Sequence, residues 1–332
     1  MSACGRFAPS TTGRAHPGTL LAALLCWLDA RSSGARVLLR LEDLDRERTK
    51  PGHVEAMERD LDWFGLDWDG RSRQSENRER HEEILERLVR EGRVYACDCS
   101  RTRIRMAGRR APDGGFAYPG TCRSQVVSPD RWRGCERPLR LRIESREIEW
   151  SDENGSTLSG DPVRLFGDPI LRRRDGAIAY HLATVLDDAA AGVDRVVRGR
   201  DLMPVTILQI ALQQDLGLAR PAYRHHCLFL EKAEAGSDAD GQTKLSKLHG
   251  AVDVAALRER YEAEALCGAL ASFVGLVPAG TVCRPRDLIA DFDWSRVSKE
   301  DVVLAWDARD GLRRERACEG EAGAGGAGIR RG

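Results

Sequence analysis

A loop near the start of the chain combines residue types that bind anions. Residues 6–10 read Arg-Phe-Ala-Pro-Ser, and Gly13, His16 and Gly18 follow at the opening of a run with helical spacing. Glycines, an imidazole and the backbone N–H groups of a helix N-terminus together suit a phosphate group. The pattern therefore predicts phosphate binding. A Gly/Pro turn that leads into a core helix and leaves His16 exposed would look the same, so both interpretations stay open at this point.

A second polar segment lies far downstream. Lys244 and Lys247 flank Ser246, after the polar stretch at 233–240. Two ammonium groups on such a loop are suited to closing over a polyphosphate. Taken alone, however, two lysines in a polar loop more often form a solvated surface.

The elements that would position the first loop alternate in type. The sequence predicts a short strand at 3–7, an amphipathic helix after His16, a buried strand at 36–41, and helices at 53–64 and 77–91. Alternation of this kind is typical of a parallel α/β sheet. Ligands in such sheets gather beyond the carboxyl ends of the strands, where acidic residues follow the strand at 36–41.

The later part of the chain indicates a second α/β half and then helices. The predicted elements are a strand at 177–185, a helix at 202–216, a short apolar run at 227–230 and helices from 252 onward. Residues 100–120 are irregular and rich in Arg and Gly, which predicts a loop-rich insertion.

Composition limits the classes of function. The chain has 52 Lys and Arg residues and 52 Asp and Glu residues, so it has no net positive charge that would attract a nucleic acid. Any contact with RNA therefore needs a local basic patch. The candidate patch is Arg101, Arg103, Arg105, Arg109 and Arg110, although a solvated face is the commoner meaning of such a run. Neither a membrane-spanning run nor a signal-peptide pattern is present, which predicts a cytoplasmic protein.

The two loops together resemble the signatures of class I aminoacyl-tRNA synthetases, namely the HIGH motif around His16 and the KMSKS loop at 244–248. Four further stretches are similar to the glutamyl-specific group of that class, and they occur in the family's order. They are residues 5–10, 39–45, 179–183 and 197–202. The resemblance implies an α/β class I fold with a Rossmann-like parallel sheet, and an enzyme that activates L-glutamate with ATP.

The resemblance also implies the residues of the site. The glutamate-binding positions are Arg6, Phe7, Ala8, Pro9, Ser10, Glu42, Tyr180 and Arg198. The ATP-binding positions are His16, Gly18, Ser246 and Lys247, and the catalytic residues are His16, Lys244 and Lys247. The chemistry agrees, because two carboxylates and one ammonium call for guanidinium groups and an acid. Structural ion pairs are the alternative for Arg198 and Glu42, and Asp43 and Asp45 are expected to hold neighbouring loops.

The implied reaction has no covalent enzyme intermediate. The glutamate carboxylate attacks the α-phosphate of ATP in line, diphosphate leaves, and catalysis consists of positioning and charge stabilisation. His16 and Lys247 would stabilise the transition state, Lys244 would hold the loop and the diphosphate, and Mg²⁺ would accompany ATP. Pro17 and Thr19 stand where the class signature has isoleucine and a second histidine. His16 is therefore expected to carry more of the work.

Four residues resemble a zinc site. Cys97, Cys99, Tyr118 and Cys122 are similar to the Cys-x-Cys…Tyr-x-x-x-Cys site of the glutamyl-queuosine tRNA(Asp) synthetases, which are short relatives of the glutamyl enzymes. This implies one structural Zn²⁺, with water as the alternative to Tyr118 and buried reduced thiols as the alternative to a metal. Isolated cysteines are expected to be small core residues: Cys4, Cys26, Cys135, Cys227, Cys267 and Cys283.

The predicted organisation has five parts. They are a first catalytic half at 1–96, a zinc-binding, acceptor-type insertion at 97–165, a second catalytic half at 166–250, a helical part at 251–315 and a disordered tail at 316–332. No anticodon-binding domain is expected. The resemblance then favours a monomer that places glutamate on queuosine in tRNA(Asp). Two alternatives stay open: a truncated glutamyl-tRNA synthetase that charges tRNA(Glu), and a zinc-stabilised RNA-binding protein that has lost catalysis.

Overall fold

The structure is a computed structural model that describes residues 3–232, 242–244, 252–307 and 311–315. Ser246, Lys247 and the rest of the segment at 245–251 lie outside the described residues, and for Lys244 only the backbone is described. Within the described ranges, none of the helices has the length and apolar character needed to cross a membrane.

Strands and helices alternate from residue 4 to residue 107 and again from residue 162 to residue 226. The strands are β1 Cys4–Phe7, β2 Arg36–Leu41, β3 Gly70–Arg73, β4 Val94–Ala96, β5 Leu139–Leu141, β6 Ile148–Ser151, β7 Thr157–Gly160, β8 Ile170–Arg172, β9 Arg195–Gly199, β10 Ala222–His226, β11 Phe229–Lys232, β12 Gln242–Lys244, β13 Val302–Asp307 and β14 Gly311–Arg314. The α-helices are α1 Pro17–Ser32, α2 Pro51–Trp63, α3 Arg78–Arg90, α4 Arg101–Ala107, α5 Pro162–Leu165, α6 Tyr180–Ala190, α7 Thr206–Leu216, α8 Val254–Arg258 and α9 Ala263–Phe273.

The central sheet joins two distant parts of the chain. Its order is β10-β9-β1-β2-β3, and every pairing is parallel. Because β1 pairs with both β2 and β9, the carboxyl ends of strands from both halves lie side by side. This confirms the predicted parallel α/β sheet, including a strand at 36–41 as predicted and a buried helix after His16. The sheet edge is therefore the place where the predicted site residues should meet.

Helix α1 forms the centre of the largest hydrophobic core. It packs against β1, β2 and β9, and also against α9 from the later part of the chain. Apolar residues that recur along its length, such as Leu20, Leu24 and Leu28, are fully buried. Smaller sheets flank this core: β4-β5-β8, the hairpin β6-β7, and β12-β11-β13-β14.

The predicted strand at 177–185 was wrong, because this segment begins helix α6 at Tyr180. Its buried apolar residues Leu182, Ala183, Val185 and Leu186 fall on one side of a helix, and β9 occupies the sheet position beside β1. A short run of buried apolar residues does not distinguish a strand from a buried helix.

Two other segments differ from their predictions. Residues 101–107, predicted to be irregular, form helix α4, whose first turn is capped by the Ser100 hydroxyl accepting from the Arg103 N–H at 3.1 Å. The segment predicted to be helical from 252 onward also contains β13 and β14. Val302 and Val303 favour a strand, and β13 adds in parallel to the edge of β11.

Candidate active site

A cavity of about 400 Å³ opens at the carboxyl edge of the central sheet. It gathers every described residue that the sequence predicts to bind glutamate, together with two predicted ATP-binding residues. These are Arg6, Phe7, Ala8, Pro9, Ser10, Glu42, Tyr180 and Arg198, with His16 and Gly18. The parallel register explains the convergence, since β1, β2 and β9 end at this edge. Glu42 N–H donates to the Pro9 carbonyl at 3.0 Å, which holds the loop after β1 against the end of β2.

His16 stands at the N-terminus of α1. It is the residue before the first helical turn, and its backbone N–H donates to the Thr19 hydroxyl at 3.3 Å. A Cβ at Gly18 would lie 3.0 Å from His16 Cε1, so glycine there leaves room for the imidazole ring. The positive end of the α1 dipole and the ring therefore face the cavity together, which suits a phosphate. Thr19, found in place of the second histidine of the class signature, serves as a helix cap.

A buried network of charges supports one wall. Asp188 Oδ1 accepts from Arg6 Nε at 3.2 Å and from Arg40 Nη1 at 2.5 Å, while Arg40 Nη2 donates to Glu42 Oε1 at 3.5 Å. Burial raises the pKa of Asp188, but Arg40 and Arg6 together have the larger, opposite effect, so the pKa lies below its ordinary value. Burial raises the pKa of Glu42 despite the same two arginines. Arg6 is thus a guanidinium with its own buried counter-ion.

Arg198 is held differently, by groups without charge. Its Nη1 donates to Gln209 Oε1 at 2.8 Å, its Nη2 donates to the Thr206 hydroxyl at 2.8 Å, and its Nε donates to His225 Nε2 at 3.0 Å. Burial lowers the pKa of Arg198, and Tyr180 and Tyr223 offset this only in part. Structural ion pairs were the alternative for these two residues: Glu42 does pair with Arg40, at 3.5 Å, whereas the described hydrogen bonds of Arg198 go to uncharged groups. Arg198 therefore lines the cavity as a guanidinium that is held by uncharged groups.

The segment with the predicted lysines is anchored close to this cavity. Lys244 ends β12, whose register pairs it with Leu230 of β11. On the far side of the segment, the Val254 N–H donates to the Ala15 carbonyl at 2.8 Å, and Arg14 pairs with Asp253 at 3.0 Å. Both anchors are adjacent to described parts of the site.

A separate cluster lies within residues 97–122. The sulfur atoms of Cys97, Cys99 and Cys122 lie within 4.8 Å of one another, and those of Cys99 and Cys122 are 3.7 Å apart. Zinc–sulfur bonds of about 2.3 Å in a tetrahedron require sulfur separations of about 3.8 Å, so this spacing fits the ion. The Tyr118 hydroxyl lies 3.6 Å from Cys97 Sγ and accepts from the Cys122 N–H at 2.8 Å. The three thiols thus form one cluster, and the Tyr118 hydroxyl lies beside its Cys97 sulfur.

Local packing holds the cluster in place. A Cβ at Gly167 would lie 2.1 Å from the Tyr118 carbonyl oxygen, so only glycine, here at φ +73°, permits this approach. The Arg140 guanidinium lies 3.8 Å from the centre of the Tyr118 ring. Burial raises the pKa of the Cys97 thiol, but hydrogen bonds from Tyr118 and the Cys99 backbone, together with Arg140, bring it below its ordinary value. A lowered thiol pKa favours the thiolate that a metal binds.

Several further predictions concern supporting residues. Asp43 accepts from the backbone and hydroxyl of Ser75, and Asp45 accepts from Arg48 and Arg173, so both hold loops as predicted. Of the isolated cysteines, Cys135 is half-buried and the others are buried in the core, namely Cys4, Cys26, Cys227, Cys267 and Cys283. The arginines of α4 lie on a helix that buries none of its residues.

Sequence reasoning missed the partners of the cavity arginines. Asp188, His225 and Gln209 are nearly inaccessible to solvent, and each contacts Arg6 or Arg198. One signal was available, because Asp187 and Asp188 follow an apolar helical run and acids in such a position need buried partners.

Comparison with known proteins agrees with this geometry. The model of the family "tRNA synthetases class I (E and Q), catalytic domain" matches residues 4–304. The chain belongs to this family. It is an enzyme of the class I synthetase type, as the sequence predicts.

Individual relatives and solved structures show which members of the family this chain is similar to. A protein of Symbiobacterium thermophilum named Glutamyl-Q tRNA(Asp) synthetase is 41% identical over 322 residues, which cover 91% of this chain and 95% of that protein. A protein of the same name from Nocardia farcinica is 46% identical, covering 90% of this chain and 92% of the relative. A glutamate tRNA ligase from Elizabethkingia meningosepticum, solved in complex with its amino acid, superposes with a TM-score of 0.70 at 25% identity, covering 91% of this chain and 67% of that one.

Proposed function

We propose that this chain activates L-glutamate with ATP, forming glutamyl-adenylate and diphosphate, and transfers the glutamyl group to queuosine in the anticodon loop of tRNA(Asp). The observation that carries the proposal is the meeting of Arg6, Arg198 and Glu42 in one cavity beside the N-terminus of α1. That set matches a ligand with two carboxylates and one ammonium. The names of similar proteins, a glutamyl-Q tRNA(Asp) synthetase and a glutamate tRNA ligase, support glutamate as the amino acid.

The contacts of the two arginines suggest how glutamate lies. Arg198 binds the side-chain carboxylate of glutamate. It donates hydrogen bonds only to uncharged groups, so its charge can pair with that carboxylate, and these groups belong to α7 and β10, away from α1 and the phosphate end. Arg6 and Glu42 bind the other end of the substrate, with Glu42 as the partner of the ammonium and Tyr180 and Ser10 as hydrogen-bonding groups. The reacting carboxylate then faces the phosphates.

ATP binds with its phosphates at His16 and Gly18. A carboxylate oxygen of glutamate attacks the α-phosphorus, the bond from that phosphorus to the bridging oxygen breaks, and diphosphate leaves. Mg²⁺ bound with ATP would neutralise part of the phosphate charge. His16 stabilises the charge that develops on the α-phosphate. Ser246 and Lys247 contribute to the ATP site, and Lys244 holds the departing diphosphate.

Cys97, Cys99, Cys122 and Tyr118 hold one structural Zn²⁺. The fit of the sulfur spacing to a tetrahedral ion supports this. A bound ion would give the loop-rich insertion the rigidity that its small hydrophobic core does not supply. Its coordination shell would be closed, so the ion would have no part in the reaction.

The acceptor step follows from the adenylate. A hydroxyl of the queuosine cyclopentene-diol attacks the activated acyl carbon, the carbon–oxygen bond to AMP breaks, and an ester forms.

We place this activity in the cytoplasm, in a monomer with the domain limits predicted from the sequence. Transfer to tRNA(Glu) is the second candidate, because two solved structures with this fold are named a glutamate tRNA ligase and a glutamate-tRNA synthetase.

The deciding experiment has two stages. Purified protein is first assayed for glutamate-dependent ATP–diphosphate exchange without tRNA, which the proposal requires. Labelled glutamate is then offered to tRNA(Asp) with queuosine, tRNA(Asp) with guanosine at the same position, and tRNA(Glu). Labelling of the queuosine form alone supports the proposal. Exchange that needs tRNA, together with labelling of tRNA(Glu), selects the second candidate. The absence of exchange both without and with tRNA refutes glutamate activation.

A further inference from the structure

The third hydrogen bond of Arg198 leads out of the cavity to a buried histidine. His225 lies on β10 with its side chain fully buried, and its Nε2 accepts from Arg198 Nε at 3.0 Å. The Nε of arginine always carries a proton, so His225 Nε2 must be the unprotonated nitrogen of the ring. The ring proton then lies on Nδ1.

That Nδ1 atom contacts a carboxylate from another part of the chain. Asp152 Oδ2 accepts the Nδ1 proton, while Asp152 Oδ1 accepts from the His225 backbone N–H at 3.2 Å. Both side chains are fully buried. Carboxylate, imidazole and guanidinium thus form a continuous series in which Asp152 selects the tautomer that can accept from Arg198.

The turn that carries Asp152 is fixed to the central sheet. It connects β6 and β7, within the segment that the sequence assigns to the insertion. The Glu153 N–H donates to the Tyr223 carbonyl at 2.8 Å, and Asn154 Nδ2 donates to the His225 carbonyl at 3.2 Å. Several hydrogen bonds therefore seat this turn on β10.

We propose that Asp152 and His225 are positioning residues for glutamate: they orient the Arg198 guanidinium toward the substrate, and the β6–β7 turn thereby completes the amino-acid pocket. This inference rests on the proposed function, because it assigns a support to the arginine that binds the side-chain carboxylate. Neither residue lines the cavity that holds Arg198. His225 Nε2 also lies 3.3 Å from the hydroxyl of Thr206, itself a partner of Arg198, so both residues act on the substrate through Arg198 and the groups that hold it.

The tautomer explains why a carboxylate is needed at this position. An asparagine in place of Asp152 could turn its amide N–H toward His225 Nδ1 and so drive the ring proton to Nε2. Two N–H donors, from His225 and Arg198, would then face each other in a buried site. The guanidinium would have to rotate away or lose this hydrogen bond.

The test compares three variants in the glutamate-dependent exchange assay. Asp152→Asn and His225→Leu should raise the KM for glutamate roughly 10- to 100-fold. The KM for ATP should stay within about twofold of the wild type, since neither residue contacts the phosphate end. His225→Gln should restore much of the glutamate affinity, because its amide oxygen reaches the position of Nε2. Glu149→Gln, an exposed change on β6 of the same hairpin, is the matched control.

A purely structural role would lower thermal stability while the two KM values stayed in their wild-type ratio, and that result overturns the proposal. Should a variant fail to fold, nitrogen-15 NMR of the histidines in the wild-type protein decides. His225 must carry its proton on Nδ1, and a proton on Nε2 refutes the arrangement. A wild-type protein without exchange activity would instead contradict the proposed function. In that case the NMR result alone would show whether Asp152, His225 and Arg198 are hydrogen-bonded as described.

Discussion

Asp188 offers a test of the charge network, and the change is Asp188→Asn. The residue is 4% exposed, and its carboxylate is the shared acceptor for Arg6 and Arg40. An asparagine has the same size but leaves two buried guanidinium groups with only Glu42 as a counter-ion. Breaking a buried ion pair by removing one partner costs about 3 to 5 kcal/mol, which sets the expected loss in the free energy of unfolding at neutral pH.

The pH dependence gives the prediction a second part. Because the folded pKa of Asp188 lies below its ordinary value of 3.8, the ionised carboxylate stabilises the fold above that value. This contribution is lost as the pH falls through the folded pKa. The difference between wild type and variant should therefore be full at neutral pH and shrink in strong acid.

Urea unfolding followed by tryptophan fluorescence measures both parts. The control is Asp175→Asn, which makes the same chemical change in a surface pair with Arg173 at 2.7 Å. Exposed pairs contribute at most about 1 kcal/mol, so this control should remain close to wild type. Equal effects of the two substitutions would refute the view that Asp188 is a buried counter-ion for the cavity.

Four further outcomes are expected. Gly18→Ala places a Cβ 3.0 Å from His16 Cε1 and should lower kcat for exchange roughly tenfold through displacement of the ring, with little change in melting temperature. Cys99→Ser should reduce bound zinc, measured by plasma mass spectrometry, from about one ion per chain toward none, whereas Cys135→Ser should leave it unchanged. In the exchange assay, glutamine should be a poorer substrate than glutamate, with kcat/KM lower by roughly 100-fold or more, because its side-chain amide offers Arg198 no negative charge; similar kcat/KM values for the two amino acids would contradict the role of Arg198. Burial and the nearby Arg198 lower the pKa of His181 to about 4, so stability should fall as the pH drops from 6.5 toward 4, and His181→Gln should flatten that slope in acid titration.

Local patterns were sufficient to predict the elements around the first loop. The strand at 36–41 and the helix after His16 each follow from a short run of side chains, and the parallel sheet follows from their alternation. The segment beginning at Tyr180 failed because buried strands and buried helices share the same apolar composition. Only the sheet order, with β9 beside β1, shows which of the two it is.

The supports of the site could not be predicted in this way. Arg6 and Asp188 are 182 residues apart, and Asp152 and His225 are 73 apart. Nothing in the sequence near either member specifies its partner, since the pairing depends on how the two halves share one sheet. Residues that touch a ligand have recognisable types and spacings, whereas residues that hold them are chosen by tertiary packing.

The chain enters and leaves residues 245–251 at two fixed places beside the cavity. On one side β12 pairs with β11, and on the other Asp253 and Val254, at the start of α8, are bonded to Arg14 and Ala15. Seven residues span at most about 25 Å when fully extended. The entropic cost of closing a loop rises with the logarithm of its length, so lengthening this connection with glycines should weaken the contribution that we propose for Lys247.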